Sequence, residues 1–172
     1  MKIKIPLPPQ SASRPNFNSK RKAKAYMPRR YFEWRKQFAK WLDDWMETHG
    51  EALFEELLTL PDGRPVFTER EVTRNGKPTT ARDYAPEFGG YRVMITFVIK
   101  RPYGSERAFP FSPTVGDLDN LYKSVTDGFF GSHWFKDFGI DDRLIQGASM
   151  LKRYTALGTA EEPHIDFEIV KL

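Results

Sequence analysis

Tyr91-Arg-Val-Met-Ile-Thr-Phe-Val-Ile-Lys100 is the stretch of this chain that most clearly predicts a β-strand. Its nearly continuous run of β-branched, aromatic and aliphatic residues is typical of a strand inside a sheet, and we expect burial on both faces. The segments on either side must then supply the neighbouring strands and the helices that cover the sheet.

The residues that follow predict a second main helix and two further strands. Residues 101–116 are rich in proline, glycine and serine, which is typical of a loop. Apolar residues then recur at helical spacing: Leu118, Leu121, Tyr122, Val125 and Phe129. A turn at Gly139 precedes a strand over residues 143–154, and alternation over residues 165–169 predicts a terminal strand.

The residues that precede the strand of residues 91–100 predict another strand, a loop, a long helix and a hairpin. Ile3, Ile5 and Leu7 alternate with lysines, which favours a short strand. Residues 8–27 have no hydrophobic period and predict a long basic loop, and apolar periodicity over residues 28–58 predicts a helix with its aromatic stripe in the core. Within residues 64–84, Asn75-Gly76 between two arms predicts an inserted, exposed β-hairpin with a type I′ turn.

Together these elements predict one α+β domain over residues 1–172. We expect a small mixed sheet of about four strands with two main helices, in the order β-α-β-α-β-β, plus the inserted hairpin. No apolar run approaches the roughly 18 residues of a membrane helix, and no apolar leader follows the first residues. The absence of cysteine excludes disulfides and thiol catalysis. We therefore expect a cytoplasmic protein with no membrane partner.

The charge is divided unequally along the chain. Residues 1–40 carry twelve basic side chains and one acidic side chain, a net charge of +11, whereas the remainder carries −7. Such asymmetry favours a polyanion as the partner of the front of the chain, above all a nucleic acid. Six residues are the candidates for contacts to DNA: Lys20, Arg21, Lys22, Lys24, Arg29 and Arg30. The alternative is a solvated basic loop that binds nothing.

An acidic block, Gly116-Asp-Leu-Asp-Asn-Leu-Tyr-Lys123, is followed at a distance by Asp141-Asp142. Asp117 and Asp119 fall at the predicted start of a helix, where the helix dipole stabilises carboxylates. If the Asp141-Asp142 turn lies beside this helix start, three or four carboxylates would offer oxygen ligands to Mg²⁺, with Mn²⁺ as an alternative. Such a metal activates water for attack on a phosphodiester, and Lys123 would bind the scissile phosphate.

Each of these residues also has a purely structural interpretation. Asp117 fits a helix N-cap, Asp119 with Lys123 fits a surface ion pair, and Asp141-Asp142 fits ordinary turn chemistry. Residue type and spacing alone leave both interpretations open.

The pattern Asp117-x-Asp119-Asn120-x-x-Lys123-x-x-x-Asp127, with Asp141-Asp142 before a strand, resembles the RusA family of Holliday-junction resolvases. The start Ile5-Pro6-Leu7-Pro8-Pro9 and the order of elements are also similar, so the likeness covers residues 1–58 and 91–172. The resemblance implies a Mg²⁺-dependent endonuclease that acts as a homodimer on four-way DNA junctions. It implies that Asp117, Asp119 and Asp142 are catalytic metal-binding carboxylates and that Lys123 is the essential lysine. Asp141 becomes an adjacent metal ligand, and Asp127 a structural residue.

The chain departs from this family in three places. Gly116 stands where members often carry a basic residue, and residues 59–90 have no obvious counterpart in the short members. The spacer between Asp127 and Asp141 is also long and includes His133, Trp134 and Phe135. These departures bear on substrate preference more than on chemistry. We therefore expect a junction resolvase of recombination and repair, with two rivals: a nuclease acting on flaps, forks or RNA, and a non-catalytic protein that binds DNA junctions.

Overall fold

The computed structural model describes residues 1–12, 28–111 and 116–172. In chain order the elements are β1 (Lys2–Ile5), α1 (Arg29–Leu58), β2 (Phe67–Arg74), β3 (Lys77–Tyr84), β4 (Tyr91–Ile99), α2 (Leu118–Phe130), α3 (His133–Asp137), β5 (Ile145–Tyr154) and β6 (His164–Lys171). A single 3₁₀ turn, Asp142–Leu144, leads into β5. The α+β class, the order of the main elements and the inserted hairpin are confirmed.

Four strands form one mixed sheet in the order β1-β6-β4-β5. Strand β6 runs antiparallel to both β1 and β4, whereas β4 and β5 are parallel. Parallel neighbours need a crossover connection, and here that connection contains α2. The start of α2 and the start of β5 are therefore parts of one crossover unit.

The core lies on the face of the sheet that α1 and α2 cover. Phe129 of α2 is fully buried at its centre, stacked on Phe167 at 4.2 Å between ring centroids and edge-on to Phe38 at 5.3 Å. The expectation that β4 is buried on both faces was wrong in part. Arg92 is exposed and Met94 only half-buried, because the helices cover one face only.

Helix α1 is one unbroken element of 30 residues with a buried stripe along its length. Its buried side chains recur every three or four residues, from Tyr31 to Leu57, as the sequence periodicity predicts. Among the described residues, no helix combines the length and the apolar character that a membrane crossing requires.

Strands β2 and β3 form a separate two-stranded sheet in unbroken antiparallel register, from Phe67 opposite Tyr84 to Arg74 opposite Lys77. The connecting residues Asn75 and Gly76 have φ values of 52° and 72°. Positive φ at both positions confirms the predicted type I′ turn.

Candidate functional site

One side of α2 carries a line of charged residues. Asp119, Lys123 and Asp127 are each four residues apart, so they lie on one side of the helix at a rise of about 6 Å per step. Asp119 and Lys123 are exposed and Asp127 is half-buried. Among the described residues, Lys123 forms no ion pair with a carboxylate, so the predicted surface pair with Asp119 is not made.

A cleft of about 500 Å³ lies between this side of α2 and the start of β5. Its lining consists of Tyr122, Lys123, Thr126, Asp127, Asp142, Ile145, Gln146, Gly147 and Ala148. The structure thus brings Lys123 of the acidic block and Asp142 of the distant turn to one cavity. Asp117 and Asp119 lie at the head of α2, at the end of the charged line and outside the lining of the cleft.

Asp117 occupies the N-cap position of α2, with an extended backbone, but its side chain accepts no capping hydrogen bond. The carboxylate of a capping aspartate normally bonds the second or third amide of the helix. Asp117 is exposed and its carboxylate is not used in this way. The purely capping interpretation of this residue is therefore not supported by its geometry.

Asp141 and Asp142 are adjacent but have different surroundings. The Asp141 carboxylate accepts hydrogen bonds from the backbone N–H of Arg143 at 2.9 Å and from its guanidinium Nη2 at 2.5 Å. These bonds lower the pKa of Asp141, with the side-chain hydrogen bond from Arg143 as the main cause. Asp141 thus caps the 3₁₀ turn, as its structural interpretation predicts. Of the two adjacent carboxylates, that of Asp142 is the one that lines the cleft.

The charge of Asp142 also affects a cleft side chain. The pKa of Tyr122 is raised, first because burial disfavours the phenolate and second because the Asp142 carboxylate repels it. The phenol therefore stays protonated at neutral pH and is a hydrogen-bond donor in the cleft.

Asp127 belongs to this site, although the family resemblance implied a structural role for it. It lines the cleft and lies close enough to Tyr31 of α1 to help raise the pKa of that phenol, behind burial and against the opposing charge of Arg35. The spacing of four residues from Lys123 was the sequence signal for it. The first turns of α1 therefore lie beside the C-terminal end of α2.

The chemistry of these side chains suits a hard divalent cation. Within residues 1–12, 28–111 and 116–172, no three His, Asp or Glu side chains are gathered closely enough to surround one ion. Mg²⁺ keeps several of its waters and is usually held by one or two carboxylates together with substrate phosphates. Asp142 facing the charged line of α2 is compatible with that mode of binding.

The segment before the basic loop lies directly on the head of α2. The Ala12 N–H donates to the carbonyl of Asn120 at 2.9 Å, and the Trp34 indole N–H donates to the carbonyl of Pro8 at 2.9 Å. Among the candidate DNA contacts, Lys20, Arg21, Lys22 and Lys24 lie outside the described residues. Arg29 and Arg30 are exposed and begin α1.

The structure also gives a reason for Gly116. Its φ is +85°, and a Cβ there would lie 1.8 Å from Oγ of Ser11. A basic side chain, as in the family that the motif resembles, is therefore disfavoured at this position. Instead Lys152, from β5, donates from its ammonium to the carbonyl of Gly116 at 3.1 Å. Nothing in the spacing of the sequence indicates that Lys152 reaches the head of α2.

Comparison with known proteins does not assign this site. The chain matches no protein-family model, no curated protein and no solved structure. The residues and the cleft are therefore the basis for a function.

Proposed function

We propose that this chain is a divalent-metal-dependent endonuclease that resolves four-way DNA junctions in recombination and repair. The observation that carries the proposal is the cleft in which Lys123 lies with Asp127 and Asp142, on the same side of α2 as Asp119. An ammonium group among carboxylates suits phosphodiester hydrolysis, which needs both a cation site and a ligand for phosphate.

The residues of the chain have separate roles in this proposal. Asp142 together with one carboxylate at the head of α2, that of Asp119 or Asp117, would hold Mg²⁺ or Mn²⁺, with waters and substrate phosphate oxygens as the remaining ligands. When bound, that ion supplies an activated water and neutralises developing charge. The ammonium of Lys123 binds a non-bridging oxygen of the scissile phosphate, and the protonated Tyr122 phenol donates a hydrogen bond at the rim.

Positive charge at the start of α1 and at the head of α2 supports DNA as the substrate. Arg29 and Arg30 begin a helix whose first turn has no acidic residue, so their charge adds to the positive end of the helix dipole. Lys152 adds an ammonium at the head of α2. We assign the basic residues of segment 20–24 to the same role, contact with the phosphate backbone, which is typical of such runs.

A homodimer is part of the proposal, because a four-way junction must be nicked in two strands. A twofold protein presents two identical sites to a nearly twofold substrate. We place this activity in the cytoplasm of a bacterial or phage-infected cell. Sedimentation of the protein with one junction should give two chains per DNA, and a single chain per junction would contradict this part.

Asp119→Asn and Asp142→Asn test the site, with Asp44→Asn on the exposed side of α1 as the matched control. The two site variants should cut a four-way junction at least about 100-fold more slowly in Mg²⁺, since even indirect partners of a metal cost 10–100-fold. The control should cut at the wild-type rate. Undiminished cutting by both site variants would overturn the assignment of these residues.

The same assay distinguishes the two rivals. Faster cutting of flaps, forks or RNA than of four-way junctions would keep the chemistry and change the substrate. Tight binding of junctions without any metal-dependent nicking would identify a non-catalytic DNA-binding protein.

A further inference from the structure

The β2–β3 hairpin has no part in the site described so far, yet its root is firmly held. Val66, just before β2, is fully buried, and its N–H donates to the carbonyl of Leu58 at 2.8 Å. The Ala85 N–H, just after β3, donates to the carbonyl of Val66 at 2.9 Å. The first end of the hairpin is therefore fixed to the end of α1, and the second end is fixed to the first.

The root also contacts Gly139, three residues before Asp142. The guanidinium of Arg82 packs so closely on Gly139 that a Cβ there would lie 2.0 Å from it. Arg82 also bonds Glu69 across the hairpin at 2.9 Å and lies over the ring of Phe67 at 4.9 Å. Any tilt of the hairpin would disturb these contacts, so its direction is set beside the candidate site.

Beyond this root the hairpin is polar and exposed. Of the three acidic residues in the hairpin, Glu69 and Asp83 pair with Arg82 and Arg70 close to the root, whereas Glu71 is exposed opposite Thr80 and forms no ion pair among the described residues. The tip carries Arg74 directly opposite Lys77, and both are exposed. Like charges directly opposite destabilise a strand pair, whereas an anion between them removes the repulsion.

We propose that the hairpin is a DNA-contacting arm whose tip residues Arg74 and Lys77 bind phosphates of one junction arm; this rests on the proposed function. Lys77 at the tip lies five residues from Arg82 along β3, which is a distance of about 17 Å. That distance corresponds to about five base pairs at 3.4 Å each. A two-stranded ribbon also fits the major groove, which is about 12 Å wide. The lack of an apolar face disfavours a protein as the partner of this arm.

Arg74→Ala/Lys77→Ala tests the arm, with Lys2→Ala/Lys4→Ala as the matched control. The control removes the same charge from the sheet face opposite the helices, since Lys2 and Lys4 pair with Glu168 and Asp166 there. Binding to a four-way junction is measured without cleavage, in EDTA, over a range of salt. The tip variant should lower the slope of log affinity against log salt by about 2. Such a change in slope makes the variant bind about 60-fold more weakly than the wild type at 0.1 M salt, and the difference in affinity disappears near 1 M salt. The control variant should bind as the wild type does at every salt concentration.

A shortened hairpin provides the second variant. Deleting residues 71–74 and 77–80 removes four residues from each strand, so the remaining side chains stay on the same faces of the ribbon and Asn75-Gly76 stays as the turn. Glu69 and Arg82, which form the ion pair at the root, are kept. Thermal melting verifies that this variant folds, and it should show the same loss of binding as the double variant.

Three results would overturn the arm. If both variants bind a junction as tightly as the wild type does, while the wild-type protein nicks junctions, the arm is refuted and the proposed function stands. Unchanged DNA binding with lost self-association would show that the hairpin is instead a protein contact. A wild-type protein that neither binds nor cuts branched DNA would refute the arm together with the proposed function.

Discussion

Replacing Gly139 by alanine tests how the hairpin is held against the candidate site. Gly139 has φ +72°, and a Cβ would lie 2.0 Å from the guanidinium of Arg82. The left-handed backbone costs an L side chain about 1–2 kcal/mol. Displacing Arg82 also disturbs its bond to Glu69 and its contact with Phe67, together worth about 1 kcal/mol at partly exposed positions. We expect Gly139→Ala to lower the free energy of unfolding by about 2–3 kcal/mol.

The assay is urea denaturation of the wild type, Gly139→Ala, Arg82→Ala and the double variant. In the Arg82→Ala background the cost of the alanine should fall to about 1–2 kcal/mol, because only the backbone strain remains. Gly158→Ala is the matched control, since Gly158 also has φ +72° but has no neighbour within 4 Å of a Cβ. A Gly139→Ala variant that costs no more than Gly158→Ala, or that shows no coupling to Arg82, would refute this account of the hairpin root.

Three further changes probe stability and chemistry. The pKa of Glu161 is held at about 2, chiefly because the carboxylate accepts a hydrogen bond from Arg153. The stability that this carboxylate adds to the folded protein is therefore present above its unfolded pKa of 4.5 and is lost as the pH falls towards 2. Glu161→Gln should cost about 1–2 kcal/mol at pH 7, discounted for partial exposure, and little near pH 2 in urea denaturation; a constant cost would contradict the pair. Phe129→Ala should cost about 3–5 kcal/mol in the same assay, because it empties the centre of the core, and a cost under about 1 kcal/mol would contradict that placement. Lys123→Ala should lower junction cleavage at saturating DNA by at least about 100-fold through lost charge stabilisation, while Lys36→Ala on the exposed side of α1 should not; equal rates would exclude Lys123 from the site.

Local sequence signals account for most of the fold. The Asn75-Gly76 pair predicts a turn with positive φ at both positions, and the structure has that turn. Helical spacing predicts both α1 and α2, because the apolar stripe of each is buried against the sheet. The double-sided burial of β4 was wrong in part, because an apolar run does not say how many layers of helices cover a sheet.

The candidate site was predictable where it depends on spacing along one element. Asp119, Lys123 and Asp127 lie on one side of α2 because they are four residues apart. The bonds between Asp141 and Arg143 are also local, since the two residues are two apart, and they match the turn interpretation. The approach of Lys152 to Gly116 joins residues 36 apart and depends on tertiary placement, so no local pattern contains it.

The most direct test of the nuclease proposal is the cutting of an end-labelled four-way junction by the purified protein, in Mg²⁺ and in EDTA. The cleft of Lys123 and Asp142 predicts paired nicks, placed symmetrically across the crossover, in Mg²⁺ alone. No cutting of branched DNA at any protein concentration, or equal cutting in EDTA, would contradict the proposal.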